Sequence, residues 1–301
     1  MITRAVEILR AGGLVAFPTE TVYGLGADAA NPDALHRLFT VKGRPTDHPV
    51  IVHVARAAQL DQLGRDVPEV AHALARAFWP GPLTLVVRRD VDRVAAEATG
   101  GRDTVGIRVP DHPVAQALLD AFGGGIAAPS ANRFGRVSPT TAQHVRDDLG
   151  GDVDLVLDGG PCTVGVESTI VDVTGAEPVI LRVGGIGAHQ LAAVVGRQPA
   201  YRTSGEIAAP GTLASHYAPR ARVELVTEEE LDERARQLRA EGQAVGSLDA
   251  PADAADYAHV LYQRLRELDA RGVDVILAVP PSDTEGIGAA VADRLRRAAA
   301  H

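Results

Sequence analysis

Short apolar runs of strand length alternate with amphipathic stretches of helical period along the first two-thirds of this chain, stop at Gly196, and start again at Val223. Interleaved helices and short strands imply an α/β domain, and the interruption divides the chain in two. Residues 3–11 read as a helix closed by Gly12-Gly13, followed by a buried strand over 14–17. Asn31-Pro32 places a cap and a proline at the start of a helix running to about Thr40. Further strands are predicted at 50–54, 83–87, 105–109, 126–128, 154–157, 169–173 and 178–183, and helices at 68–79, 113–122, 140–149 and 187–195. The link between 169–173 and 178–183 is too short for a parallel crossover, so part of the sheet is expected to be antiparallel.

Beyond the break, strands at 223–226, 244–248 and 273–279 alternate with helices. The first of these helices opens on a Thr227/Glu230 capping box and runs to about Glu241, and the others cover 254–270 and 287–299. That is a β-α-β-α-β-α unit with a three-stranded parallel sheet. The expected organisation is a twisted mixed-sheet α/β domain over 1–195, a linker over 196–219, and a small Rossmann-like three-layer domain over 220–301. The linker holds Pro199, Gly205, Pro210, Gly211 and Pro219, and it is longer than a compact domain tolerates without a purpose.

With 301 residues and 46% apolar composition the chain can bury two cores. Glu7 and Arg10 interrupt the only apolar stretch near the N-terminus, which does not read as a secretory leader, and no apolar run approaches the ~20 residues that span a bilayer. The single cysteine, Cys162, excludes an internal disulfide and a cysteine-based zinc site, so the cytoplasm is the expected compartment. The histidines show no metal-ligand spacing, and there is no Walker lysine loop and no serine-hydrolase elbow. Gly286 and Gly288 lack the third glycine and the acidic residue of a dinucleotide fingerprint.

A formal net charge of −9 argues against nucleic acid as the main ligand, because phosphate neutralisation supplies most of that affinity. Against this acidic background, 29 of the 30 basic residues are arginine and one, Lys42, is lysine. A compact ammonium and a planar fork are not interchangeable, so position 42 reads as a site that requires the former. Lys42-Gly43-Arg44-Pro45 would present a point charge and a fork to one polyanion.

Three further segments carry more polar chemistry than packing requires. Pro18-Thr19-Glu20-Thr21-Val22-Tyr23-Gly24-Leu25-Gly26 follows a buried strand and reads as a ligand-binding loop. Ala127-Ala128-Pro129-Ser130-Ala131-Asn132, with Ser138-Pro139-Thr140-Thr141, offers hydroxyls and amides to a sugar or base and also caps a helix. Glu167-Ser168-Thr169 is followed by Arg182 on the next strand, and Arg108 adds a cation to an apolar run. A buried arginine requires an anion, which either a protein carboxylate or a ligand could supply.

Together with Trp79-Pro80-Gly81-Pro82-Leu83-Thr84 and Arg108-Val109-Pro110, these motifs resemble, in order, those of the YrdC-like threonylcarbamoyl-AMP synthases. His216-Tyr217-Ala218-Pro219 and the segment from Gly286 to Arg296 are similar to the linker and C-terminal domain of the longer, two-domain form. His48, Val183 and Asp293 depart from the asparagine, proline and asparagine common there. The resemblance implies an N-terminal domain with a large concave cavity that makes threonylcarbamoyladenylate and pyrophosphate from L-threonine, bicarbonate and ATP. A separate transferase complex would pass the group to tRNA, so tRNA is an indirect partner, and the chain is expected to act as a monomer away from membranes.

By that resemblance Lys42 and Arg44 would act on phosphates and bicarbonate. Arg44, His48, Thr104, Ser130, Asn132, Ser138, Arg182 and Tyr217 would hold ATP. Thr21, His53, Arg108, Ala128 (through its backbone) and Ser168 would hold threonine. Magnesium would arrive on the ATP phosphates rather than in a protein cage. No residue stands out as the base for the threonine amine, His53 being the candidate by its ordinary pKa. The linker is expected to close as a lid that keeps water from a hydrolysable anhydride. The alternative reading is an RNA-binding or ribosome-maturation module using the same cavity. A carbamoyltransferase relative would require zinc-finger cysteines that this chain lacks.

Overall fold

The computed structural model describes residues 1–202, 210 and 217–300. The chain opens with α1 (Ile2–Arg10), β1 (Val15–Phe17) and β2 (Gly24–Asp28), followed by α2 (Pro32–Lys42), β3 (Ile51–His53), α3 (Leu60–Leu63) and β4 (Gly64–Arg65). Next come α4 (Glu69–Phe78), β5 (Leu83–Arg89), β6 (Thr104–Arg108), α5 (Pro113–Phe122) and β7 (Ile126–Ala127). After α6 (Ala142–Leu149) and β8 (Leu155–Val156), the strands β9 (Thr169–Asp172) and β10 (Val179–Arg182) lead to α7 (Ala188–Val195) and β11 (Ala200–Tyr201).

These strands form one mixed sheet in the order β11-β10-β9-β5-β6-β3-β7-β2-β1-β8, with β4 paired to β5. β9 and β10 are antiparallel, as the short link requires, whereas β5–β9, β3–β6, β1–β8 and β10–β11 are parallel. Asn31 caps α2 with Pro32 in the first turn, and the Thr141 side chain caps α6, where sequence chemistry anticipates both.

β2 is a strand that the sequence hides. Gly24-Leu25-Gly26-Ala27-Asp28 has no β-branched residue and reads as loop, yet it runs antiparallel to β1. Tertiary contact overrides propensity here. A Cβ at Gly26 would stand 2.8 Å from Ile126 Cγ2 and 2.9 Å from Phe17 Cε1, so glycine lets the core close over the strand. The ligand loop of the sequence reading is therefore a tight turn over 18–23 followed by a strand.

The chain resumes with β12 (Arg222–Leu225), α8 (Glu228–Ala240), β13 (Val245–Leu248), α9 (Ala254–Ala270), β14 (Val275–Ala278) and α10 (Gly286–Ala299). Their sheet is parallel, in the order β12-β14-β13. Alternate residues of β14 serve opposite faces. Ile276 and Ala278 pack under α9 and α10, while Val275 and Leu277 meet Ala235 and Leu238 of α8. Covering both faces of a parallel sheet gives three layers.

The core under α9 and α10 does not end at its own sheet. It takes in Val22, Val137 and Val166, from segments around the polar motifs of the first two-thirds, and Tyr217 of the linker. Among the described residues of the linker, β11 extends the large sheet beside β10, Pro210 reaches Arg182, and Tyr217 is buried. The rest of the expected lid, including His216, lies outside the described residues.

Candidate active site

The turn after β1 is shaped by its own hydroxyls. Thr19 Oγ1 donates to Val22 O at 2.6 Å and accepts from the Thr21 and Val22 N–H groups at 3.2 Å each. Such local side-chain bonds replace a strand ladder and aim Thr21 inward. Tyr23 N–H then donates to Pro139 O and Leu25 N–H to Pro129 O, which binds this turn to the Ala128–Asn132 and Ser138–Thr141 motifs.

A cleft opens between these segments and the ends of β3, β6, β9 and β10. Its wall contains Thr21, Arg44, His53, Arg108, Ala128, Ser130, Ser168, Arg182 and Tyr217. Thr21 and Tyr217, 196 positions apart, thus meet in one concavity, as a ligand site in an open sheet requires.

Three guanidinium groups converge there. Arg182 donates through Nε and Nη2 to Ser168 O at 3.0 and 2.9 Å, and through Nη1 to Pro210 O at 2.9 Å. Arg108 bonds Thr21 Oγ1 at 2.9 Å and Gly81 O at 3.2 Å and sits 2.6 Å from Glu20 Oε1, at an angle too poor for a full hydrogen bond. Arg44 donates through Nη2 to Pro49 O at 2.8 Å and lies over the Phe134 ring, while its buried Nε makes no hydrogen bond. An unmet buried donor is costly, and on a cleft wall it is available to an acceptor. Ala128 N–H already donates to Ile51 O at 2.8 Å, so only its carbonyl can meet one.

Five residues of the sequence reading do not line this cleft. Thr104 lines a smaller neighbouring cavity, which shares Ile51 and Pro210 with the first. His48 packs against Phe134 at 5.6 Å between ring centroids. Asn132 turns away to donate to Arg133 O and Arg136 O at 2.9 and 2.8 Å. Ser138 is buried behind the wall, with Oγ donating to Glu167 Oε1 at 2.7 Å. Lys42, 2% exposed, also stands behind the wall and donates to Ser130 O at 2.6 Å and Asn132 O at 2.5 Å. Two carbonyls thus converge on the Lys42 amino group.

Burial governs the electrostatics. It holds the Lys42 ammonium well below its ordinary pKa, with Arg44 adding to the effect, and pushes Arg44 down to about 10, still protonated at neutral pH. Burial, helped by Arg108, pushes the His53 imidazole down to about 3. A ring that cannot hold a proton near neutrality is a poor general base, which removes the reason for singling out His53. Among the described residues no group of three or more His, Cys, Asp or Glu side chains forms a metal cage.

The sequence reading missed what lies beneath the cleft. Glu167 lines it and accepts from Ser138, from Tyr262 Oη at 2.9 Å and from Arg294 Nε at 2.8 Å. Burial would raise the Glu167 pKa, but Arg294 and Arg182 outweigh it and bring the carboxyl down to about 2. Arg266 of α9 donates to Ser138 O at 3.3 Å, to Val137 O, and to both oxygens of Asp148. One signal was available: Val291, Arg294, Leu295 and Ala298 share the buried stripe of α10, where an arginine is out of place.

Known proteins share this architecture. A family model described as telomere recombination, covering Sua5, YciO and YrdC proteins, matches residues 7–184, and one described as threonylcarbamoyl-AMP synthase, C-terminal domain, matches 186–300. The threonylcarbamoyl-AMP synthase of Pyrococcus abyssi is 42% identical over 99% of this chain and 93% of its own length. That of Bacillus subtilis is 42% identical over 99% and 92%. The crystal structure of P. abyssi Sua5 complexed with L-threonine superposes with a TM-score of 0.94 at 41% identity, covering 99% of this chain and 94% of that one.

Proposed function

The chain belongs to the threonylcarbamoyl-AMP synthases in their two-domain form, and from that premise we propose that it condenses L-threonine, bicarbonate and ATP into L-threonylcarbamoyladenylate, with release of pyrophosphate, for tRNA modification. The observation that carries this reading is the convergence of Arg44, Arg108 and Arg182 on one cleft of a chain with net charge −9. ATP, bicarbonate and an amino-acid carboxylate are all anions, and a cleft that gathers them needs cations already in place.

The amine nitrogen of threonine bonds to the bicarbonate carbon with loss of water, giving a carbamate. A carbamate oxygen then bonds to the α-phosphorus of ATP as the bond to the β-phosphate bridging oxygen breaks, and pyrophosphate departs. We assign Arg44 and Arg182 to the nucleotide's phosphates, with Ser130 and Tyr217 beside them and Thr104 in the neighbouring cavity. Thr21, Arg108, Ser168 and the Ala128 carbonyl are assigned to threonine, a substrate that the likeness to the threonine-bound P. abyssi protein supports. His53, neutral and buried, would contribute shape and polarity rather than proton transfer. The proton that threonine's ammonium must lose before its nitrogen attacks goes to solvent in this scheme. Catalysis is then mainly positioning and electrostatic stabilisation.

The donor set around the cleft, guanidinium groups, hydroxyls and carbonyls, suits magnesium arriving on the triphosphate, where it would neutralise phosphate charge. In this reading the chain works as a monomer in the cytoplasm with residues 1–195 catalytic and 220–301 a second domain, and tRNA meets only the downstream transferase. Residues 196–219 would close the cleft, a role supported by Pro210 and Tyr217 on its wall. No described helix is long and apolar enough to cross a membrane.

Incubating the protein with threonine, bicarbonate, magnesium and ATP should yield the adenylate by mass and stoichiometric pyrophosphate. ATP left intact, or AMP and pyrophosphate formed equally without threonine, would overturn the reading.

A further inference from the structure

A carboxylate on the wall of an anion-binding cleft works against the ligand unless its charge is cancelled. Glu167 occupies that position, and the cation that meets it most directly comes from the C-terminal sheet's own helix. Arg294 of α10 is 0% exposed and donates through Nε to Glu167 Oε2 at 2.8 Å. Its Nη2 donates to Val183 O at 3.0 Å, at the residue following Arg182, and its guanidinium carbon stands 5.2 Å from the centre of the Tyr217 ring. Its Nη1 reaches Asp293 Oδ2 at 2.7 Å, a carboxylate that Arg297 shares at 2.9 Å.

Tyr262 of α9 completes the arrangement. Its hydroxyl donates to Glu167 at 2.9 Å and its ring stacks on Tyr217 at 5.7 Å. One guanidinium and one phenol from the C-terminal helices therefore contact Glu167 and Tyr217 of the cleft wall, and Arg294 also braces the strand end after Arg182. An ion pair serving only to join the two sheets has no need to sit there. Arg266–Asp148 already does that task at 2.5 Å, and neither of its residues lines the cleft.

We infer that Arg294 is a positioning and charge-cancelling residue for the nucleotide: it neutralises Glu167 and holds the Arg182 and Tyr217 walls, so that the C-terminal domain is part of the ATP site. The inference rests on the proposed function for the identity of the anion.

The test is made on the full chain, with the ATP dissociation constant measured by titration calorimetry, which needs no turnover, beside KM values for ATP and threonine and a melting curve. Arg294→Met should weaken ATP by about tenfold or more, since it leaves a like charge facing an anion site, while the threonine KM stays within about threefold. Adding Glu167→Gln to that variant removes the stranded charge and should restore most of the ATP affinity. Tyr262→Phe keeps the stacked ring, and Arg294→Lys keeps a charge. Should Arg294→Met fail to fold, these two decide, with about threefold weaker ATP binding expected for each. Folded variants with unchanged ATP affinity would overturn the inference, as would equal losses for ATP and threonine that Glu167→Gln does not relieve. A wild-type chain that binds ATP but forms no adenylate would overturn the proposed function and leave this inference standing on the binding data.

Discussion

Replacing Lys42 by arginine tests whether the ammonium acts by contact with a ligand or by holding the wall. In the structure it holds the wall. Lys42 ends α2, is 2% exposed, and places Nζ between Ser130 O and Asn132 O at 2.6 and 2.5 Å. A guanidinium adds heavy atoms where the two carbonyls leave no room, and overpacking of this kind costs about 1–3 kcal/mol. For a chain of this size that is on the order of 5 °C in melting temperature. The 130–132 segment must move to accept the fork, and it carries Ser130, a residue of the cleft. Misplacement of about 1 Å can cost about 100-fold in rate. Lys42→Arg should therefore lose stability and activity together, as read by differential scanning calorimetry and by adenylate formation. If melting is unchanged while activity is lost, the ammonium touches the ligand directly and the wall argument is wrong. If activity stays within about tenfold of wild type, position 42 does not need an ammonium at all.

The fold should weaken in mild acid. His53, held at about 3 when folded against an ordinary 6.5, binds a proton only on unfolding between those values, so its contribution is intact above pH 6.5 and falls by about 1.4 kcal/mol per pH unit below it. His144, part-exposed and pushed down to about 4 by burial and Arg266, adds a smaller loss of the same sign. Denaturant midpoints that do not change between pH 7 and 5 would refute this. Gly184→Ala would drive a Cβ into the backbone of residues 167–169, so a melting temperature and activity equal to wild type would contradict the close packing of Arg182's strand end on Ser168. With a net charge of −9, binding of tRNA at physiological salt should stay in the non-specific range of ~10⁻⁴–10⁻⁶ M by fluorescence anisotropy, and nanomolar affinity would revive an RNA-binding role.

Much of the architecture could be read from local chemistry. Asn31-Pro32, Thr141 and the Thr227/Glu230 box start helices in sequence and in structure alike, because a cap depends on residues within one turn of each other. The short link between β9 and β10 dictated an antiparallel pair for the same reason of reach. The polar motifs also meet at the cleft, where Thr21, Arg108, Ser130, Ser168 and Arg182 line the wall. What they did not announce was which of them face it. Lys42, Asn132 and Ser138 belong to the same motifs as Arg44 and Ser130, yet they stand behind the wall and hold it up.

That choice belongs to tertiary packing. A strand such as β2, without a β-branched residue, exists because Phe17 and Ile126 close over its glycine, not because of its own preference. Glu167 and Arg294 are 127 residues apart, one in the loop before β9 and the other on α10, and nothing local to either says that they meet. The stripe of α10 reveals that Arg294 points inward. Only the packing of α9 and α10 against the loop that carries Glu167 decides what waits there, because a buried charge takes its meaning from the one partner that long-range folding brings within hydrogen-bond distance.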